Sequence, residues 1–311
     1  MIPYRPYSEF LRDRYGEKVY KLPVNIPCSC PNRDGTRGFG GCIFCGESGS
    51  GYELRDESET VTGQLSENAD YIGKRYKAKK FIAYFQSFSN TWLADEDFKR
   101  YLTEAAAFPG VVGISVSTRP DCLNDEKLAF MKRLQESGTD VTVELGLQSS
   151  NDRTLQILNR CHTAAEYESA AYEVRAAGLD LCTHLITDLP WDSDEDVLKA
   201  AGMVNRFGGH VKCHSLYIEK GTALAQMYEK GEVSLLTAED FQRRTIALLA
   251  ALRPDIVIDR LVGRIPEENC IAANWNSSWW KIRDDLVAEM ERSGLVQGSA
   301  CDGGCGQKFM L

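Results

Sequence analysis

The chain has 311 residues, a formal net charge of −9, 43% hydrophobic and 26% charged residues, an ordinary balance for a globular protein. The acidic balance excludes a protein that coats nucleic acid through a broadly basic surface, although it leaves room for a local basic patch. No apolar run approaches the ~20 residues that span a bilayer, and the N-terminus, MIPYRPYSEFLRDRYG, carries charges where a signal peptide is apolar; a cytoplasmic protein with no membrane partner is expected.

A chain this long buries roughly 75% of its surface, which suits one large α/β domain with or without an appendage. The first β-like run, Lys18 to Pro27, leads directly into an irregular loop, Cys28 to Gly51, with seven glycines. A helix is expected from Thr62 to Lys77, where Leu65, Ala69, Ile72 and Tyr76 recur at helical spacing. A second strand, Phe81 to Phe85, ends in Gln86-Ser87-Phe88-Ser89-Asn90, and helical pattern follows from Asp95 to Ala107. Val111 to Val116 reads as a strand buried on both faces and ends in Ser117-Thr118-Arg119-Pro120-Asp121. Asn124 is an N-cap with acidic residues behind it.

A fourth strand, Val141 to Leu145, ends in Gly146-Leu147-Gln148-Ser149. Thr163 and Glu166 form a capping-box pattern for a helix that Gly178 closes. The fifth strand, Leu181 to Ile186, ends in Thr187-Asp188-Leu189-Pro190, and Ser193 opens the next helix. The sixth, Val211 to Ile218, ends at Glu219-Lys220-Gly221-Thr222. Six strand–helix units argue for a parallel sheet closed into a barrel or partial barrel, with an open doubly wound sheet as the competing architecture.

After Ala223 the alternation weakens. A helix is expected over Thr237 to Leu252, a strand over Ile256 to Leu261 and a last helix over Ser278 to Ser293. This divides the chain into a barrel with an N-terminal extension (1–222), a C-terminal α+β extension packed on it (223–298) and a flexible Gly/Cys tail (299–311).

The loop holds the chemistry. Cys30, Cys42 and Cys45 are separated by eleven and then two residues, and Cys42-Ile43-Phe44-Cys45 puts two thiols in one tight turn. Eleven cysteines without a secretion signal read as thiols or metal ligands rather than disulfides. Three thiolates can hold a [4Fe–4S] cluster with one iron left open. The alternative is a zinc knuckle using Cys28, Cys30, Cys42 and Cys45, although one residue between Cys28 and Cys30 is tighter than the usual C-x2-4-C pair.

CPNRDGTRGFGGCIFC, followed in order by YFQSFSNTW, STRPDC, VELGLQSSNDRTLQILNRCHT, HLITDLP and IEKGT, resembles the radical S-adenosylmethionine (SAM) superfamily, in its YhcC/YtqA-like branch. That branch is itself similar to the radical-SAM domain of the Elongator catalytic subunit. The likeness runs from about Val19 to Gly298 and has no counterpart of the Elongator acetyltransferase domain. It implies a partial (β/α)6 TIM-type barrel with an irregular cluster loop and a C-terminal extension. It implies a [4Fe–4S] cluster on Cys30, Cys42 and Cys45, with SAM chelating the open iron.

By the same resemblance, Phe44 would sit beside the adenine, Gln86 and Ser87 would contact the SAM amino group, and Arg160 would pair with its carboxylate. Ser117 stands where Elongator relatives place a carboxylate, so Glu144 or Gln148 would take the ribose hydroxyls. Leu189 belongs to the fifth-strand motif at the adenine edge, where Asp188-Leu189-Pro190-Trp191 replaces G-L-P-G. Cys161 replaces another family glycine, and Cys28 has no family role.

The implied chemistry is reductive cleavage of SAM, fed by a flavodoxin or ferredoxin, and hydrogen abstraction by the resulting 5′-deoxyadenosyl radical. The segment from Asp259 to Trp280 would close the barrel over the site. The Elongator likeness suggests tRNA as substrate, and 73–80 is the one dense basic stretch. Small-molecule or peptide modification, or a non-catalytic zinc or cluster protein, are the alternatives. Trp275, Trp279 and Trp280 are expected to pack the open side of the barrel. Cys301 and Cys305, joined by Cys270, are candidates for an auxiliary metal, while Cys122, Cys182 and Cys213 read as core.

Overall fold

The structure, a computed structural model, describes residues 2–46, 49 and 56–301. Seven parallel strands form one curled sheet: β1 (Val19–Val24), β2 (Lys80–Phe85), β3 (Val111–Thr118), β4 (Asp140–Gln148), β5 (Asp180–Ile186), β6 (His210–His214) and, after an excursion through β7 (Ile218–Glu219), β8 (Val257–Arg260). The order β1-β2-β3-β4-β5-β6-β8 follows the chain without reversal, which removes the doubly wound alternative, whose strand order switches direction. Lys21 of β1 reaches Asp259 of β8 at 3.0 Å, and Pro6 bridges Ile258. The first and last strands therefore meet across the interior, and the fold is a partial TIM-type barrel.

Helices α1 (Tyr7–Tyr15), α2 (Val61–Tyr76), α3 (Asp95–Ala106), α4 (Asp125–Glu136), α5 (Asp152–Ile157), α6 (Ala164–Ala176), α7 (Asp194–Phe207), α8 (Ala223–Glu229), α9 (Ala238–Ala251) and α10 (Trp279–Ser293) occupy the connections. Their starts follow local chemistry. Asn124 accepts from the Lys127 amide, and capping boxes form at Thr163 with Glu166 and at Ser193 with Asp196. Among the described residues no helix is long and apolar enough to cross a membrane.

Strand residues alternate between two environments. Leu22, Phe85, Val116, Val143, Leu145 and Leu181 join Phe98, Leu102, Tyr167 and Val204 in the main core under the helices. Each such fully buried side chain contributes about 1.5–3 kcal/mol. The intervening residues point into the barrel and are polar, so the interior is a site rather than a second core.

Two expectations are corrected. The run from Val211 to Ile218 is not one strand. Ser215 bonds Asn274 at 2.7 Å and the Leu216 amide bonds Asp188 at 2.7 Å, turning the chain out of the sheet after His214. Ile218–Glu219 then pairs antiparallel with β9 (Cys270–Ala272). The region after 223 is not a separate extension in its entirety, because β8 is the seventh strand of the barrel sheet.

Residues 297–301 are tied down, while 302–311, most of the expected tail, lie outside the described residues. Gln297 is buried and bonds the carbonyls of Arg253 and Ile256, and the Ala300 amide bonds Ala250. Cys305 lies outside the described residues.

Candidate active site

The cysteine loop leaves β1 and is pinned on several sides. Buried Gln64 of α2 accepts from the Asn25 amide at 2.8 Å and donates back to the Asn25 carbonyl at 2.7 Å. The Ile43 amide bonds the Leu158 carbonyl, and the Ile43 carbonyl accepts from Leu224. Glu219 accepts from the Gly46 amide at 3.1 Å, directly after Cys45. Ile43 and Phe44 pack against a second apolar cluster that includes Leu158, Leu189 and Leu224. The loop's shape is thus imposed by groups on five different segments.

Cys30, Cys42 and Cys45 all border one cavity of about 1050 Å³ inside the barrel. Cys28 does not. Its sulfur turns to the Ser87 carbonyl at 3.5 Å, and burial, with Glu57 and Cys30 adding to it, pushes its thiol up to about 12. Burial likewise raises the Cys45 thiol to about 11, so in the bare chain it stays protonated until a metal centre compensates its charge. No three of these four sulfurs lie within 4.8 Å of one another, whereas thiolates sharing one zinc stand roughly 3.8 Å apart. A cluster of four irons spreads its thiolates more widely, and the donor set fits that group better than a single ion.

A second observation supports an anionic occupant beside these cysteines. Arg119, from the loop after β3, is 3% exposed and grips Asp121 through Nε and Nη2, both at 2.9 Å. Its third nitrogen, Nη1, is buried without a partner. Burial would lower the Arg119 pKa, but Asp121 and the thiols of Cys30 and Cys42 raise it. An orphaned guanidinium nitrogen of this kind calls for a negative ligand group. Sequence reasoning passed over Arg119; the available signal was an arginine two residues from an aspartate at a strand end.

Phe44, Gln86, Ser117, Glu144, Gln148 and Arg160 also border the cavity. Arg160 donates to the Cys42 sulfur at 3.2 Å, the Gly146 carbonyl at 2.8 Å and His162 at 3.2 Å, which places it beside the cysteines. Gln148 holds φ +70 at the end of β4, a left-handed conformation that non-glycine residues seldom adopt away from functional positions. Two candidates are not brought to the cavity. Ser87 is buried, with its carbonyl accepting from Asn90 and Cys28, and Leu189 is fully buried in the second apolar cluster.

Glu144 corrects another expectation. Both of its oxygens are already occupied: Lys21 and Ser115 each donate to Oε1 at 2.7 Å, and His184 (2.7 Å) and Lys212 (3.0 Å) donate to Oε2. No lone pair is left pointing at a ribose. Burial would raise its pKa, but the two ammonium groups and His184 hold it well below the usual carboxylate range. Burial, with Lys212 adding to it, pushes His184 down to about 4, so the imidazole is neutral near pH 7.

Lys212 also donates to the Tyr84 hydroxyl at 2.6 Å, and Asp259 accepts from Lys21 at 3.0 Å and bonds His210 at 2.9 Å. The cavity floor is therefore a closed polar network. Glu144, Cys182 and His184 lie close enough to bind a cation, but the ammonium groups on Glu144 already take that role.

The departures from the family motif have structural reasons. Asp188 is fully buried and caps the Leu216 amide, tying the end of β5 to the turn after β6. Arg244 braces the same loop through the carbonyls of Leu189 and Asp192, at 3.1 and 2.7 Å. Trp191 packs with the second cluster, in company with Ile43 and Phe44. Cys161 sits at φ +54, the conformation for which a glycine is the easiest choice, and its thiol donates to Asn32 at 2.9 Å.

The segment after β8 covers the mouth. Arg264 stacks on Trp279 at 3.8 Å, Trp275 packs on Phe241 and donates to the Leu236 carbonyl, and Trp280 is 54% exposed. Cys122, Cys182 and Cys213 are buried in the fold, as expected.

Comparison with known proteins agrees with this geometry. A model of the radical SAM superfamily matches residues 29–204, and one of the radical SAM C-terminal domain matches 209–292. YtqA of Bacillus subtilis (strain 168) is 33% identical over 296 residues, covering 95% of this chain and 92% of its own. YhcC of Escherichia coli (strain K12) is 32% identical over 291 residues, 93% of each chain. Among solved structures, the archaeal Methanocaldococcus infernus Elp3 with an N-terminal deletion superposes with a TM-score of 0.68 at 18% identity. That match covers 90% of this chain and 64% of the Elp3 chain, and at this identity the likeness is one of fold.

Proposed function

Since the chain belongs to the radical SAM superfamily, we propose that it is an enzyme that holds a [4Fe–4S] cluster on Cys30, Cys42 and Cys45 and binds SAM at the open iron. The observation that carries this reading is the convergence of those three cysteines on one large interior cavity, beside a buried guanidinium nitrogen with no partner. Bound there, and reduced by a flavodoxin- or ferredoxin-type protein, the cluster would cleave SAM reductively and supply a 5′-deoxyadenosyl radical to take hydrogen from a substrate.

The chain's own residues prepare the site. Arg160 donates to the Cys42 sulfur, fixing its position at the cavity wall. Arg119, which also borders the cavity, adds a second positive charge on the side of the cysteines, where the carboxylate of the cofactor would be favoured. Gln86, Ser117 and Gln148 supply hydrogen-bonding groups along the wall for the polar parts of the cofactor. Glu144, Lys21, Lys212 and His184 satisfy one another and hold the floor rigid. The segment carrying Arg264 and Trp279 limits entry of water.

The tRNA reading draws on the Elongator likeness, but the basic stretch gives it little. Lys74 pairs with Asp70 and Lys80 with Glu17, and neither borders the cavity. A compact substrate admitted into the barrel is the better-supported class.

The test is electron paramagnetic resonance on protein reconstituted anaerobically with iron and sulfide. A dithionite-reduced S = 1/2 signal that changes on addition of SAM, and is missing in Cys42→Ala, is expected. A colourless protein carrying one zinc would overturn the proposal.

A further inference from the structure

Resting on the reading above, we infer that Arg260 anchors an anionic group of the substrate, a phosphate or a carboxylate. Arg260 ends β8, at the rim where barrels of this kind recognise their ligands, and it borders the same cavity. Its guanidinium donates through Nη2 to His214 at 2.8 Å, and its Nε is buried without a partner. Among the described residues only three buried side-chain nitrogen or oxygen atoms lack a partner, and two of them belong to arginines that border this one cavity.

The charges of the wall show why Arg260 stands apart. Seven lysines and arginines border the cavity against three carboxylates, in a chain whose net charge is −9. Lys21 and Lys212 are matched by Glu144 and Asp259. Arg119 is matched by Asp121. Arg33 and Arg160 serve the cysteine loop, through the Cys45 carbonyl and the Cys42 sulfur, and Arg264 is engaged over the Trp279 ring.

Arg260 pairs with no carboxylate among the described residues; its partner is an imidazole kept neutral by burial and by the adjacent cations. A half-buried guanidinium without a counter-ion is unfavourable unless a ligand supplies one. Its fork geometry suits two oxygens of a phosphate or carboxylate.

Position separates this arginine from the cofactor end. The charges felt by Arg119 include Cys30 and Cys42, whereas Arg260 acts on His184, His214 and Cys213. The volume of about 1050 Å³ lies at the upper limit of the ~300–1,000 Å³ that one small ligand fills, which leaves room for a second molecule beside SAM.

The experiment is isothermal titration of inorganic phosphate, and separately of acetate, into the cluster-loaded protein saturated with SAM. The wild-type protein is expected to bind at least one of the two anions, and the preferred one identifies the substrate group as phosphate or carboxylate. Arg260→Gln should weaken that binding at least tenfold, and Arg260→Lys, which keeps the charge but not the fork, several-fold. Arg206→Gln, outside the cavity, should change nothing.

Equal binding by wild type and Arg260→Lys together with Arg260→Gln overturns the assignment. So does the absence of binding to the SAM-saturated wild type; if a parallel titration without SAM then shows binding, Arg260 moves to the cofactor. The titration does not require SAM cleavage, so a protein that binds anions through Arg260 but makes no 5′-deoxyadenosine refutes the enzyme reading and leaves the anion site standing.

Discussion

Replacing Glu144 by glutamine removes one charge and keeps the shape. In the native barrel this carboxylate, 1% exposed, accepts from two ammonium groups, an imidazole and a hydroxyl. Glutamine presents an NH2 group to at least one of those donors. The retained carbonyl oxygen still accepts on one side, while on the other either Lys212 keeps only the Tyr84 hydroxyl or Lys21 only Asp259. Breaking a buried pair by removing one partner costs about 3–5 kcal/mol.

With an unfolding entropy of roughly 2.1 cal/mol/K per residue, a chain of 311 residues loses about 1.5 °C per kcal/mol, so Glu144→Gln should lower Tm by about 5–8 °C. The pH dependence carries a sign. The folded pKa of Glu144 is depressed, so its contribution is full above about pH 4.5 and shrinks as pH falls below that toward the folded value. The gap in Tm between wild type and variant, followed by differential scanning calorimetry from pH 7 to pH 4, should therefore narrow at the acid end. A gap under 1 °C at pH 7, or one that widens in acid, would refute the closed network.

Asp188 has the opposite behaviour. Burial raises it to about 7, so its stabilising contribution is full below about pH 4 and is lost as pH rises through 7. Wild type should thus lose on the order of a few kcal/mol relative to Asp188→Asn across that range, and parallel urea-stability curves would contradict it. At Gly46 an added Cβ would lie 1.8 Å from Glu219 Oε1, displacing the carboxylate that holds the Gly46 amide. Gly46→Ala should lose about 1.5–3 kcal/mol of loop anchoring and take up less iron on reconstitution; an unchanged iron content would mean the loop does not depend on that anchor.

Legibility in the sequence followed distance along the chain. Cys30, Cys42 and Cys45 are close neighbours in sequence, and their spacing alone marks a metal loop; the caps at Asn124, Thr163 and Ser193 are equally local. The floor network was not legible, because Lys21, Glu144, His184, Lys212 and Asp259 come from five strands and each looks like an isolated polar residue in an apolar run. The signal available was that pattern itself, since a charged residue inside a strand of a doubly covered sheet must point into a barrel and find a partner there. The end of β6 was misjudged for a related reason. The groups that turn the chain at Ser215 and Leu216, namely Asn274 and Asp188, are 59 and 28 residues away. The resemblance supplied Arg160 and Gln148, while Arg119 and Arg260 emerged only from asking which buried polar atoms lack a partner.

The proposed function turns on whether Cys30, Cys42 and Cys45 hold a cluster that cleaves SAM in this cavity. The direct measurement is product analysis of the reconstituted, dithionite-reduced protein incubated anaerobically with SAM. 5′-Deoxyadenosine and methionine are expected in wild type and neither in Cys42→Ala. A wild-type protein with a full complement of iron and sulfide that yields no 5′-deoxyadenosine, or a Cys42→Ala protein that still produces it, would contradict the account.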